Sequence, residues 1–202
     1  MSEIGKWLGQ QLGLSGGEPL PPGQHQVNSL PVLDIGLHPA VAPTEWRLTL
    51  HGLVAAPLEL SWSDVLGLPP REVTADIHCV THWSCLGLHW SGLAVKPLLE
   101  RAQPLPEGRF VTLHSYDNYT TNLPLAALLD DDVLLAHSLN GEPLSVEHGG
   151  PLRLVVPKRY FWKSAKWLKA IEIHAEDRPG FWEVRGYHNE AFPWEEQRFD
   201  KS

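Results

Sequence analysis

Apolar and polar residues alternate in several short runs of this chain, which is typical of strands that bury one face. The alternation is clearest at residues 46–53. The pattern predicts five strands, at residues 46–53, 74–80, 109–114, 152–156 and 167–174. A sixth run, residues 133–139, is followed by an Asn-Gly pair at residues 140–141 and then by Leu144, which predicts a hairpin.

Helical patterns are short and are bounded by proline or glycine. Ser61, followed three residues later by Asp64, resembles a capping box and predicts a short helix that ends before the Pro-Pro pair at residues 69–70. Apolar spacing predicts a helix over residues 93–102, and residues 124–129 predict another with proline in its first turn. Strands and short helices interleave without a strict βαβ rhythm, so we predict a mixed-sheet α+β domain with long ordered loops.

Three regions of the chain differ in composition. Residues 1–24 are a Gly/Pro-rich lead-in that we expect to be flexible, and residues 25–175 carry the predicted domain. Residues 176–202 combine aromatic with charged side chains, and we expect this tail to pack on the domain through its aromatic residues. The chain has 202 residues and nine tryptophans, enough to fill a core and to wall a flat organic cofactor.

Charge and composition argue against several classes of protein. A formal net charge of −8 without a long Lys/Arg run argues against nucleic acid as a partner. No stretch approaches the ~20 apolar residues of a membrane-spanning helix, and residues 1–17 lack the pattern of a signal peptide. Two cysteines are too few for a disulfide scaffold, so we predict a cytoplasmic protein with reduced thiols.

Residues 76–92 hold the densest cluster of chemically active side chains, including both cysteines. In one interpretation Cys79, His82, Cys85 and His89 form a structural zinc site, although five residues separate the cysteines and about two to four are usual. In the other, one cysteine is a soft metal ligand or a nucleophile in a cleft of histidine and tryptophan side chains. Both cysteines could instead be small buried hydrophobic residues, the interpretation that we favour for Cys85.

Basic residues concentrate in a second cluster, residues 147–169. Six of the sixteen lysines and arginines fall in it: Arg153, Lys158, Arg159, Lys163, Lys166 and Lys169. In an acidic protein this predicts an anion site, most simply for phosphate, and a Gly-Gly pair at residues 149–150 would let the backbone approach the ligand closely. The alternative is a solvated charged surface between two strands.

The two clusters together resemble the molybdopterin-binding domain of the sulfite oxidase type. Cys-Val-Thr-His-Trp-Ser at residues 79–84 matches, at four of six positions, the Cys-Val-Glu-Ala-Trp-Ser of the family's periplasmic methionine-sulfoxide reductases. In this family the cysteine is the protein's only bond to molybdenum. Residues 139–144 and 148–157 resemble the family's second signature, and Lys-Trp at residues 166–167 resembles its ending. The resemblance covers about residues 28–174.

Residue by residue, the resemblance implies that Cys79 is the metal ligand and that Tyr119 bonds substrate or a metal-bound oxygen. It implies further cofactor-binding residues: Asn28, Ser115, His148, Arg153, Ser164, Ala165 and Lys166. For His78 and His82 we favour a structural role over contact with substrate.

The implied activity is a two-electron oxidoreductase reaction that depends on Mo-molybdopterin and transfers an oxygen atom to or from a small sulfur or nitrogen oxide. A separate electron-transfer protein is the implied partner. Sulfite oxidases carry arginines four and five positions after the cysteine, where this chain has Trp83 and Ser84, so the pattern argues against a sulfite pocket. Two rivals are a catalytically silent module that binds the same cofactor and the structural zinc domain.

Overall fold

The computed structural model describes residues 19–36 and 38–200, and two β-sheets dominate this part of the chain. Within these residues the strands are β1 (His25–Val27), β2 (Arg47–Gly52), β3 (Leu58–Ser61), β4 (Arg71–His78), β5 (Trp83–Ala94), β6 (Phe110–Ser115), β7 (Thr120–Pro124), β8 (Leu134–Leu139), β9 (Glu142–Pro143), β10 (Arg153–Val155) and β11 (Leu168–His174). The helices of the same residues are α1 (Trp62–Gly67), α2 (Val95–Ala102) and the short 3-10 helices Leu125–Leu129, Phe161–Lys163, Glu183–Arg185 and Pro193–Glu195. The predicted mixed α+β architecture is confirmed.

The long strand β5 organises the first sheet. Strand β4 pairs antiparallel with most of its length, while β1 pairs parallel with its beginning and β8 antiparallel with its end. Strands β9 and β10 both pair with β8. In the described strands the second sheet has the order β3-β2-β11-β6-β7, in which β2 and β11 run parallel and the other pairs antiparallel.

Local sequence signals explain how several elements begin and turn. The Asp64 amide donates to Ser61 Oγ over 3.2 Å and the Ser61 amide donates to Asp64 Oδ2 over 2.8 Å, which completes the capping box of α1. Asn140 and Gly141 have φ of 52° and 84°, the left-handed conformation that a two-residue hairpin turn between β8 and β9 requires. Both predictions are confirmed.

Three differences from the predicted elements follow from long-range pairing. Residues 83–92, part of the first chemical cluster, form most of the unpredicted strand β5. Helix α2 begins at Val95 rather than residue 93 because β5 continues to Ala94. Strand β7 was not predicted, and its last residue, Pro124, precedes the 3-10 helix Leu125–Leu129 instead of lying in its first turn.

Buried apolar side chains form two clusters. The larger combines residues of the second sheet, such as Leu50 and Ile171, with Leu99 of α2. The smaller lies on the first sheet and includes Trp83 and Trp90. Full burial of a large apolar side chain contributes about 1.5–3 kcal/mol, so both clusters stabilise the fold. Residues of both clusters line the cavity that holds the candidate site.

The C-terminal segment, residues 176–200, is tied to the domain by buried polar side chains. Lys163 Nζ and Glu183 Oε1 lie 2.7 Å apart and both side chains are buried, and Arg198 is buried as well. Of the segment's aromatic residues, Trp182 and Tyr187 pack against the two apolar clusters, whereas Trp194 and Phe199 are 56% and 55% exposed. In the described residues, no helix has both the length and the apolar character needed to cross a membrane.

Candidate functional site

One cavity of about 280 Å³ brings most of the predicted site residues together. Seven of the nine line it: Cys79, Tyr119, His148, Arg153, Ser164, Ala165 and Lys166. They come from the turn between β4 and β5, from the residue before β7, and from the connection between β9 and β11. Three distant parts of the chain therefore meet at one place.

A tight turn presents Cys79 to the cavity. The His82 amide donates to the Cys79 carbonyl over 3.1 Å, and the Cys79 amide donates to the Trp83 carbonyl over 2.9 Å. His82 adopts φ 73°, a left-handed conformation that is unusual for a residue other than glycine. The Thr81 hydroxyl donates to Cys79 Sγ over 3.2 Å. Burial raises the pKa of the Cys79 thiol, and the Thr81 hydrogen bond acts in the opposite direction by stabilising the thiolate.

Residues 23–25, at and just before the start of β1, form hydrogen bonds with this turn. The Gln24 side-chain amide donates to the Cys79 carbonyl over 2.9 Å, and His82 Nδ1 donates to the Gly23 carbonyl over 2.9 Å. The His25 amide donates to the His82 carbonyl, also over 2.9 Å. A segment more than fifty residues away in sequence thus bonds the backbone of the turn that bears Cys79.

Arg153 supplies a fully buried positive charge to the cavity. Its guanidinium donates to the carbonyls of His148 and Ser164, each over 2.8 Å, and lies 4.2 Å from the ring centroid of Phe161. Burial lowers its pKa, and no carboxylate of the described residues pairs with it. A buried charge without a counter-ion is costly unless a ligand supplies one.

Lys166 supplies the second positive charge. Its ammonium donates to the Glu147 carbonyl over 2.7 Å and lies 3.7 Å from Asp34 Oδ2. Burial, followed by the nearby charge of Arg153, lowers the pKa of Lys166 to about 8. A bound anion would raise the pKa of Lys166 again by offsetting both its burial and the charge of Arg153. Arg153 and Lys166 together are therefore suited to a phosphate group.

The remaining members of the predicted basic cluster are engaged elsewhere: Lys158 with Asp130, Arg159 with Glu190, Lys163 with Glu183, and Lys169 near the ring of Tyr116. The prediction of an anion site therefore applies to Arg153 and Lys166, while the other four residues support the fold or the surface.

Tyr119 and His148 line the cavity with their polar atoms already bonded. The Tyr119 hydroxyl donates to the Trp162 carbonyl over 2.7 Å, and burial raises its pKa well above the usual value. It can still accept a hydrogen bond but has no second proton to donate. His148 Nε2 donates to the Leu30 carbonyl over 3.1 Å, and its Nδ1 lies 3.1 Å from Ser145 Oγ.

Two predicted residues lie outside the cavity lining of the described structure. Asn28 is exposed beyond the end of β1. Ser115 is buried at the end of β6, where its backbone amide donates to the Tyr119 carbonyl over 3.0 Å. Contact of either residue with a cofactor stays a prediction.

Sequence reasoning missed several lining residues, among them Asp34, Asp117, Trp162, Trp182 and Tyr187. Asp117 is buried, its Oδ1 accepts from the Tyr119 amide over 3.0 Å, and burial raises its pKa. Because Asp117 lies two residues before the predicted site residue Tyr119, it could have been identified from the sequence. For Trp182 and Tyr187 the only signal was the aromatic content of the C-terminal segment.

The alternative zinc site is wrong. In the described part of the chain, no group of three or more His, Cys, Asp or Glu side chains lies close enough together to hold a metal ion. The His82 ring bonds the Gly23 carbonyl, and the His89 ring lies 2.8 Å from the Thr74 hydroxyl. His78 lies 2.7 Å from Ser84 Oγ and is buried, which agrees with the structural role predicted for it.

The lining chemistry defines what the cavity can hold. Arg153 and Lys166 suit an anionic group, and aromatic side chains such as Trp162 and Trp167 suit a flat ring. Cys79 offers sulfur to a soft metal ion. A phosphate-bearing ring system that carries a metal matches all three features.

The chain matches the family model described as "oxidoreductase molybdopterin binding domain" over residues 35–182. It is 48% identical over 181 residues to the "uncharacterized oxidoreductase YuiH" of Bacillus subtilis, with 89% of this chain and 91% of the relative covered. It is 30% identical over 161 residues to the protein-methionine-sulfoxide reductase catalytic subunit MsrP of Campylobacter jejuni, with 68% of this chain and 52% of the relative covered.

A solved structure has the same fold. The sulfane dehydrogenase SoxCD from Paracoccus pantotrophus superposes with a TM-score of 0.62 at 27% sequence identity. The match covers 69% of this chain and 40% of that chain. The chain therefore spans nearly all of the Bacillus relative but about half or less of the other two.

Proposed function

This chain belongs to the oxidoreductase molybdopterin-binding domain family, and we propose that it transfers an oxygen atom to or from a small, neutral sulfur or nitrogen oxide. The observation that carries the proposal is the meeting of Cys79 with the buried, carboxylate-free guanidinium of Arg153 in one aromatic cavity. The first supplies a metal ligand, and the second requires an anion.

The residues present fit the cofactor. We propose that Cys79 binds molybdenum and that Arg153 and Lys166 bind the phosphate group, since Arg153 has no carboxylate partner among the described residues and Lys166 is 3.7 Å from its nearest one, Asp34 Oδ2. His148, Ser164 and Ala165 line the same cavity and would complete the contact. Molybdopterin-bound molybdenum supplies the two-electron redox change, and the protein supplies binding and orientation.

The chain's own side chains then determine the local environment. The Thr81 hydroxyl stabilises the Cys79 thiolate. Trp162 and Trp182 contribute apolar surface to the lining, which lowers the local polarity and strengthens electrostatic interactions there. Since the Tyr119 hydroxyl already donates to Trp162, we propose that it accepts a hydrogen bond from substrate rather than donating one.

The remaining charges favour a neutral substrate. Once Arg153 and Lys166 hold the cofactor, the described lining contains no further lysine or arginine, whereas it contains the carboxyl groups of Asp34 and Asp117. An anion such as sulfite or nitrate would meet no free positive charge, and Trp83 and Ser84 stand where sulfite oxidases carry arginines. A sulfoxide or an amine N-oxide carries no net charge and suits the aromatic walls.

Metal analysis tests the first part of this proposal. Protein from a host that makes the cofactor should contain about one molybdenum per chain, and Cys79→Ser should lower that content or change the Mo(V) electron paramagnetic resonance spectrum. Cys85→Ser is the matched control, because Cys85 does not line the cavity in the described structure, and it should behave as wild type. Absence of molybdenum from the wild type, with the cofactor pathway active, would overturn the proposal.

Turnover tests the second part. With reduced viologen as electron donor, dimethyl sulfoxide or pyridine N-oxide should be reduced faster than nitrate at equal concentration. Faster turnover of nitrate, or efficient oxidation of sulfite in a separate assay with ferricyanide as electron acceptor, would refute the neutral-substrate proposal while leaving the cofactor assignment intact. Molybdenum-loaded protein that turns over none of these compounds would favour the silent cofactor-binding module. The separate electron-transfer partner and the cytoplasmic location stay predictions.

A further inference from the structure

Arg198 is a buried arginine outside the region that matches the family model. That match ends at residue 182, and Arg198 lies in the C-terminal segment with 6% of its surface exposed. Arginine is rarely buried unless its guanidinium is bonded. Its contacts therefore indicate what this part of the segment does.

Both terminal nitrogens of Arg198 bond the surroundings of Cys79. Nη1 donates to the carbonyl of Val80, the residue after Cys79, over 2.7 Å. Nη2 donates to the carbonyl of Pro22 over 2.9 Å. The guanidinium carbon lies 5.1 Å from the ring centroid of Tyr160, whose ring limits its movement on that side. One planar group thus joins the turn that bears Cys79 to the segment that precedes β1.

The two acceptor carbonyls, of Val80 and Pro22, belong to the Cys79 turn and to the segment that bonds it. Pro22 precedes Gly23 and Gln24, which bond His82 and the Cys79 carbonyl. The turn itself holds His82 at φ 73°, a conformation that persists in a non-glycine residue only when its surroundings enforce it. Arg198 fixes the positions of both the turn and the segment that braces it.

A simpler role would be to fasten the C-terminal segment to the domain. That segment already has a buried attachment, because Lys163 and Glu183 form an ion pair over 2.7 Å with both side chains inaccessible to solvent. Both bonds made by the Arg198 terminal nitrogens go instead to residues around Cys79. The geometry therefore favours a role directed at the cysteine.

We propose that Arg198 is a positioning residue for Cys79, which holds the turn of residues 79–82 so that the sulfur faces the cavity. The proposal rests on the function proposed above only in taking Cys79 as the metal ligand. It predicts that loss of Arg198 loosens the turn in the cofactor-free protein and alters the metal site in the loaded protein.

Hydrogen exchange of the cofactor-free protein, followed by mass spectrometry, tests the positioning role directly. In Arg198→Gln the amides of Cys79, His82 and His25 should exchange about ten-fold faster, since hydrogen bonds from a charged donor are lost. Arg198→Lys should give intermediate exchange, because one ammonium cannot reproduce two planar bonds. Arg185→Gln is the matched control: Arg185 also stacks on an aromatic ring and bonds a carbonyl, but it is exposed and bonds Phe181. It should leave these amides unchanged.

A second readout separates positioning from general stability. In molybdenum-loaded Arg198→Gln the Mo(V) electron paramagnetic resonance signal should shift, while Arg185→Gln should keep the wild-type signal. Unchanged exchange at residues 79–82 in either Arg198 variant would overturn the proposal, as would faster exchange confined to residues 183–200. Protein that never acquires molybdenum would refute the proposed function but not the exchange result, so the two failures are distinguishable.

Discussion

Two basic side chains, the buried Arg153 and the half-buried Lys166, are less well solvated in the empty cavity than they would be beside an anionic ligand. Arg153 bonds three carbonyls yet has no carboxylate partner in the described residues, and Lys166 has a pKa of about 8 because it is partly buried and lies near Arg153. Both groups are poorly solvated without a ligand. Binding of an anion restores a favourable environment to both.

We therefore expect anion binding to depend on pH through Lys166. A phosphate monoester has a second pKa of about 6, so its charge is constant above about pH 7.5. Its affinity for the cofactor-free protein should fall as pH rises above about 8, because Lys166 loses its proton there. Isothermal titration calorimetry between about pH 7.5 and about pH 9.5 measures this effect.

Lys166→Met is the control for that titration. This variant should bind the monoester more weakly at low pH and show little change in affinity across the same range, because the guanidinium of Arg153 stays protonated throughout it. Wild-type affinity that stays constant through pH 8 would contradict the assignment of Lys166 to the anion.

Among the helices, strands and turns, the elements predicted correctly are those whose sequence signals lie within a few residues of one another. The capping box of Ser61 and Asp64 and the turn at Asn140 involve residues within a few positions, and both were predicted. Strand β5 was missed because its burial is irregular at both ends: Trp83, Ser84 and Cys85 are all buried in succession, and the pairing with β8 shifts register between Ser91 and Gly92.

Site residues that lie in contiguous sequence motifs were predicted, whereas those that only the fold brings together were not. Cys79 and Arg153 lie in contiguous motifs that resemble a known family, so they could be found from the chain alone. Asp34 and Trp182 enter the cavity from segments far away in sequence, and Arg198 acts through contacts that only the fold brings together. Asn28 and Ser115 had suitable neighbours in sequence but lie outside the lining of the described structure.

Gly149, in the connection between β9 and β10, allows a test of how this connection positions Lys166. Gly149 has φ 100°, and a Cβ added there would lie 2.9 Å from Lys166 Cβ. Gly149→Ala should destabilise the protein by about 1–3 kcal/mol and weaken phosphate monoester binding, because backbone strain and displacement of Lys166 combine. Urea unfolding and calorimetry measure the two effects.

Gly141→Ala is the matched control for this substitution. Gly141 also has a positive φ, 84°, but an added Cβ would meet open space. This variant should show the cost of backbone strain without weaker binding of the anion. Equal effects of the two substitutions on binding would contradict the role assigned to contact between Gly149 and Lys166.

At the scale of the whole molecule, a buried ion pair joins the C-terminal segment to the domain. Lys163 Nζ also donates to the Asn122 carbonyl, and Glu183 Oε1 also accepts from Thr121 and from the indole of Trp162. Burial lowers the pKa of Lys163, and Glu183 opposes that effect. Since Trp162 lines the cavity, the pair also supports one of its walls.

Lys163→Met should destabilise the protein by about 3–5 kcal/mol, because it leaves the carboxylate of Glu183 buried without its counter-ion. The double variant with Glu183→Gln should lose less than the sum of the two single losses, as urea unfolding would reveal. Lys158→Met is the control, since the pair of Lys158 with Asp130 is solvent-exposed and should contribute no more than about 1 kcal/mol. Additive losses in the double variant would contradict a coupled pair.

The distribution of tryptophan has a practical consequence for the molecule. Four of the nine tryptophans line the cavity of the candidate site: Trp83, Trp162, Trp167 and Trp182. Indole emission responds to the polarity of its surroundings and is quenched by a nearby light-absorbing ring. The intrinsic fluorescence of the unlabelled chain should therefore report in real time when this cavity fills and empties.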